Sequence, residues 1–183
     1  MTPIPPPPTP PPLRLPDRAL PPYRYIPGLN PHPFRHPDGH LYTDGGVPAE
    51  APWDAAAAWT DDLEYLRGMD LFDHRFYWEA HEAWEAIWHQ VDREAPYAVL
   101  LQGLIQAGAF ALKHHMGHDR GAARLLAASA GRLMSVSESR GPLWRGLDLP
   151  ETASRLRAFA AGGDWPLLAN APRRHPRDRT VTN

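Results

Sequence analysis

The sequence predicts an all-α fold, a compact bundle of about five helices carrying a proline-rich, non-helical N-terminal arm. Three observations predict it. Apolar residues recur at helical spacing from about residue 53 onward, no stretch alternates with period two for long enough to make a strand, and the helical runs start at Pro or Asp and most of them stop at Gly. A chain of 183 residues with 43% hydrophobic content has material for one core.

Fifteen of the 23 prolines fall in the first 37 residues, which rules out a helix or central strand there. Residues 1–20 read as a disordered, polyproline-like tail of the kind that fits an aromatic-lined proline-recognition groove. From Pro21 aromatics mix with turn signals, and Tyr23, Tyr25, Ile26, Phe34 and Tyr42 offer something to bury. Residues 21–52 therefore read as an extended arm packed on the core, with His32, His36 and His40 along it as turn residues.

The helical domain spans 53–168. Its first helix is expected after Pro52, with Trp59, Leu63 and Leu66 on one stripe and Gly68 ending it near Arg67. The second follows Asp70 or Asp73 as cap, with Phe72 as a hydrophobic staple, and runs to about Gln90 or Asp92. Pro96 opens a third helix that reaches His115, where Gly117 stops it. The fourth starts at Asp119 or the loop before it, buries Ala122, Leu125, Leu126, Ser129 and Leu133, and ends near Val136. After a loop with Gly141 and Pro142, Asp148 caps a last helix that carries Leu156 and Phe159 inward until Gly162 and Gly163. Trp165 and Leu168 dock, and residues 169–183 fray.

The two central helices have different faces. On a 100° wheel the second presents a broad apolar face, bordered on one edge by His74, His81 and Glu85, with Trp78 and His89 beyond. The third is apolar nearly all round, and its exceptions Gln102, Gln106 and Lys113 fall within about 40° of one another. A buried amide without a partner costs roughly 1–3 kcal/mol, so the two glutamines need partners, which the His81–Glu85 edge can supply.

The segments HEAWEAIW at 81–88 and LQGLIQAGAFALK at 101–113, followed by Gly117, Gly121 and Ala122, resemble the bacterial and archaeal family catalogued as domain of unknown function 309. The resemblance covers about residues 71–133. It implies a compact all-helical fold and a polar cluster at Glu79, His81, Glu82, Glu85, Trp88, Gln102 and Gln106, and it implies no established activity. Many relatives carry histidine where this chain has Lys113, its single lysine, which counts against any scheme needing a third imidazole at that position.

The function classes narrow accordingly. A net charge of −2 and the absence of a basic helix argue against nucleic acid. The absence of cysteine rules out disulfides, thiolate metal sites and a cysteine nucleophile and leaves the redox compartment unmarked. With no apolar run of the roughly 18 residues of a membrane span and no recognisable signal peptide, the expectation is a soluble cytoplasmic protein. Phosphate loops and Gly-x-Ser-x-Gly elbows are missing. His-Glu-x-x-Glu at 81–85 is a partial match to the zincin His-Glu-x-x-His helix, so His81, Glu85 and His89, or His74 or an arm histidine as the third, form one ligand set for zinc, manganese or iron. In a second reading the site takes a small molecule, with His81, Glu82 or Glu85 as acid or base and Lys113 as anion or carbonyl partner. A metal-dependent hydrolase is the enzymatic form of these readings. The alternative is a structural or interaction module, homo-oligomer included, whose polar cluster is a buried hydrogen-bond network.

Overall fold

A computed structural model describes residues 1–46, 52–55 and 57–168. Five helices follow in order: α1 (Leu63–Asp73), α2 (Tyr77–Trp88), α3 (Pro96–His115), α4 (Asp119–Arg140) and α5 (Leu149–Ala160). The all-α bundle is as expected. A two-residue hairpin, β1 (Leu143–Trp144) antiparallel to β2 (Leu147–Asp148), joins α4 to α5, and positive φ at Arg145 and Gly146 makes its turn. Among the described residues no helix is long and apolar enough to cross a membrane.

The centre is α3, which packs between α2 and α4, while α1 lies on α2 and α5 on α4. Its sequence dictates this, since Leu100, Leu101, Leu104, Ala107, Phe110 and Ala111 point in several directions and all are buried. Gly108 brings α2 close: a Cβ there would sit 2.8 Å from the Tyr77 carbonyl oxygen. Pro96 sits in the first turn and Gly117 follows the C-cap with φ +74°, as the sequence indicates.

The first two helices depart from expectation. α1 starts at Leu63 rather than after Pro52, because Asp62 is a working cap: its side chain accepts from Tyr65 N at 3.0 Å, and from Tyr97 Oη at 2.7 Å and Trp53 Nε1 at 3.0 Å. Gly68 does not end α1. The Trp84 indole lies where a Cβ would be, so the glycine makes room for a fully buried ring. Its helix-propensity cost of about 1 kcal/mol is outweighed by that burial. Asp70 and Asp73, expected as caps of the second helix, lie inside α1, and Phe76 is the N-cap of α2 without a side-chain bond. The break between the helices is made by Arg75, with φ +65°. α2 stops at Trp88, short of Gln90, and α4 continues past Val136 to Arg140, where Gly141 at φ +93° ends it. Asp148 caps α5 by accepting from Glu151 N at 2.9 Å, as expected.

What the two aspartates do instead is hold the proline-rich segment. Arg14 Nη1 meets Asp70 at 3.0 Å and Nη2 meets Asp73 at 2.8 Å, while the backbone amides of Arg14 and Leu15 also donate to Asp70. Asp73 further accepts from Leu168 N at 2.7 Å, so one buried ion cluster ties residues 14, 70, 73 and 168 together. Residues 1–20, expected as a disordered tail, lie against the helices with Ile4, Pro7 and Arg14 buried. In the arm, Tyr25 and Ile26 are buried, and the rings of Tyr25, His32 and Phe34 close over Trp78, whereas Tyr42 is exposed. The end of the arm at 47–51 and the expected fraying at 169–183 lie outside the described residues.

Candidate functional site

Helical spacing on α2 puts Tyr77, His81 and Glu85 one turn apart each; Gly108 on α3 lets the two helices touch at Tyr77, and the small Ala109 beside it lines the space next to that contact. The result is a crevice of about 300 Å³ between the two helices. Its walls are mainly apolar: Tyr77, Trp78, Ala109, Leu112 and Met116, closed on one side by Pro27 of the arm. Three groups able to carry positive charge also line it, His81, Lys113 and His118.

His81 is the half-buried polar group of that wall. Its Nδ1 lies 3.2 Å from Glu82 Oε1 and its Nε2 lies 3.9 Å from Glu85 Oε2. Burial by itself lowers the affinity of His81 for a proton, but the hydrogen bond to Glu82 and the charges of Glu85 and Glu82 together outweigh it, so the pKa is raised. The imidazolium form is favoured. One ligand atom from each of His81, Glu82 and Glu85 falls within 4.8 Å of the others, a spacing that a single cation can bridge.

The remaining residues singled out by the sequence divide between this cluster and other places. Glu79 is buried and faces the arm: Oε1 accepts from Tyr25 N at 3.0 Å and lies 3.8 Å from His40 Nε2, while Oε2 and both His40 ring nitrogens have no hydrogen-bond partner among the described residues. Burial, only partly offset by those bonds and by Arg24, pushes the Glu79 carboxyl up to about 7. Gln102 and Gln106 do not turn to the His81–Glu85 edge. Their side-chain oxygens accept from Arg132 of α4, Nε at 2.8 Å and Nη1 at 3.0 Å. Arg132 was not singled out in the sequence, although two glutamines at i and i+4 on a buried helix are a signal for one forked donor on a neighbour. Trp88 is half-buried under the Arg93 guanidinium, 3.3 Å from the ring centroid, and His89 lies outside the cluster of three. Lys113 is exposed at the crevice mouth near the end of α3.

The other histidines have separate tasks. His74 is buried and bonds the Asp70 carbonyl through Nδ1 at 2.8 Å. His32 and His36 accept from backbone amides two residues on, as turn residues do. His114 packs on Phe110 and Phe159.

Comparison with known proteins bears on the same region. Residues 65–125 match the family described as Domain of unknown function (DUF309), in agreement with the resemblance drawn from the motifs. The match runs from α1 into α4 and contains the whole crevice lining except Pro27. No curated protein and no solved structure matches the chain.

Proposed function

Taking the DUF309 match over residues 65–125 as premise, we propose that the crevice between α2 and α3 is a small-molecule site in which His81 is the proton-transfer group. One observation carries the reading: a half-buried imidazole, with both ring nitrogens directed at carboxylates, forms part of the wall of a mainly apolar crevice of about 300 Å³. Small-molecule sites of this size are usually apolar with a few convergent polar groups. An engineered apolar cavity of about 150 Å³ accepts benzene, so this one has room for a ligand about twice as large. The raised proton affinity of His81 suits it to hold and deliver a proton, Glu82 and Glu85 hold the ring and stabilise its charge, and Lys113 at the mouth receives an anionic or carbonyl oxygen.

The test is an amide and indole NMR screen of fragments that combine a ring with a carbonyl or carboxylate. Hits are expected to shift Trp78, His81 and Met116 resonances, and to weaken in His81→Gln. A screen in which no fragment perturbs these residues refutes the site.

A second reading is favoured by the 4.8 Å grouping of His81, Glu82 and Glu85. A mixed imidazole and carboxylate set suits zinc, manganese or iron, and a bound ion of this kind supplies a nucleophilic water and so a hydrolase. Elemental analysis of untagged protein decides it: a stoichiometric metal lost in both His81→Ala and Glu85→Ala supports the ion. No metal, with both variants strongly destabilised, instead favours a non-enzymatic module in which the three groups are structural.

A further inference from the structure

The first eight residues are unusual in how they are held. Pro5 to Pro8 have no N–H to donate and a fixed φ, which favours the left-handed polyproline II helix with three residues per turn. Burial matches that period over a single turn: Ile4 and Pro7 are buried and the two residues between them and Pro8 are exposed, while Pro10, one turn further, is exposed and ends the match. The carbonyl oxygens are taken up by side chains. Arg75 Nη1 donates to Pro5 O at 3.1 Å and Pro6 O at 3.2 Å, and His115 Nε2 lies 2.8 Å from Thr2 O, which requires the proton on Nε2. Both donors rest on one ring. The Arg75 guanidinium lies 4.7 Å from the Trp165 centroid and the His115 ring 5.6 Å from it.

Two buried positions three residues apart, side-chain donors aimed at nearby carbonyls and an indole beneath the donors are features by which proteins recognise polyproline II peptides.

We propose that the surface formed by Arg75, His115 and Trp165 is a recognition groove for proline-rich peptides of the pattern apolar-x-x-Pro, which residues 2–8 of the chain fill in cis. A peptide of that pattern from another molecule competes with the tethered segment. Tethering gives the cis segment an effective concentration of about millimolar, so a free ligand has to exceed that level or meet a chain whose own segment has been released.

The experiment uses the full chain and a fluorescent peptide of sequence TPIPPPPTPPP, residues 2–12. Ile4→Asp puts a charge into the buried socket and releases the segment. The expected result is that this variant, with helical circular dichroism unchanged, binds the peptide at least tenfold more tightly than the wild type by anisotropy. Adding Arg75→Met is expected to remove at least tenfold of that, and a peptide with Asp in place of its Ile is expected not to bind. A folded Ile4→Asp chain with no gain overturns the proposal, and so does a gain that survives Arg75→Met. Should Ile4→Asp not fold, Pro7→Asp provides the same release. In the wild type, several millimolar unlabelled peptide must shift the Trp165 indole N–H resonance, and an unmoved signal overturns the proposal without any variant.

Discussion

Glu79 gives the sharpest stability prediction. Its carboxyl is buried on α2 beneath the arm, and its pKa rises from 4.5 to about 7, chiefly through burial, against the opposing effects of its backbone hydrogen bonds and of Arg24 and with a small push from Glu82. A folded-state pKa above the unfolded one means the folded chain binds this proton more tightly. The contribution of Glu79 to stability is therefore complete below pH 4.5 and is lost as pH rises through about 7. At 1.36 kcal/mol per unit, the ionised group costs about 3 kcal/mol at pH 8. His40, which faces Glu79 at 3.8 Å and has its own pKa lowered by burial, acts in the opposite sense and costs stability as pH falls below 6.5. Glu79→Gln keeps the oxygen that accepts from Tyr25 N and removes the titration. Urea unfolding of wild type and variant at pH 5 and pH 8 is the assay. The variant is expected to be more stable than wild type at pH 8 by up to about 3 kcal/mol and about equal to it at pH 5. Equal destabilisation of Glu79→Gln at both pH values would refute the reasoning, because it would mean that the charged carboxylate is held by Arg24 and His40 as a favourable ion pair.

Three further outcomes follow from named contacts. Arg14→Met leaves Asp70 and Asp73 buried without their cation and is expected to cost about 3–5 kcal/mol, read as a fall in Tm of about 10 °C. A shift under 2 °C would mean that the aspartates simply take up protons. Gly68→Ala gains about 1 kcal/mol of helix propensity but drives a methyl into the Trp84 indole, so a net loss of about 1–2 kcal/mol is expected in denaturant unfolding, with a change in Trp fluorescence. Arg132→Met removes both donors to Gln102 and Gln106 and is expected to cost about 1–3 kcal/mol without altering fragment binding at the crevice, since Arg132 lies on the α4 side of α3.

The bundle was legible because its signals are local. Pro96 and Gly117 bracket α3, Asp148 caps α5, and the all-round apolarity of α3 marks it as central, so the largest packing decision is written in consecutive residues. The end of α1 and the caps of α2 were misplaced because a local reading cannot see a partner distant in sequence. Gly68 reads as a stop unless Trp84 is known to lie on it. Asp70 and Asp73 read as caps unless Arg14, more than fifty residues away, is known to need them. The same limit governs the polar residues of α3. The wheel put Gln102, Gln106 and Lys113 on one stripe, but a wheel cannot say which neighbour meets each residue: Arg132 of α4 claims the glutamines, while Lys113 lines the crevice with His81. His81, Glu82 and Glu85, in contrast, come together because their spacing on one helix is sufficient.

The arm changes what the crevice is. Within 65–125 the chain supplies the apolar walls and the His81 cluster, but Pro27 completes the enclosure and belongs to a segment outside that range. Trp78 is shared between the two: one part of it lines the crevice while Tyr25, His32 and Phe34 pack on it from the arm. Glu79, the next residue, accepts from Tyr25 N and so fixes the arm to the helix that carries His81. Access to the crevice and attachment of the arm therefore depend on adjacent residues of α2. The arm residues that pack on Trp78 and the one that Glu79 holds thus sit against the helix that carries His81, which makes the arm part of the crevice's surroundings rather than a wrapper around it.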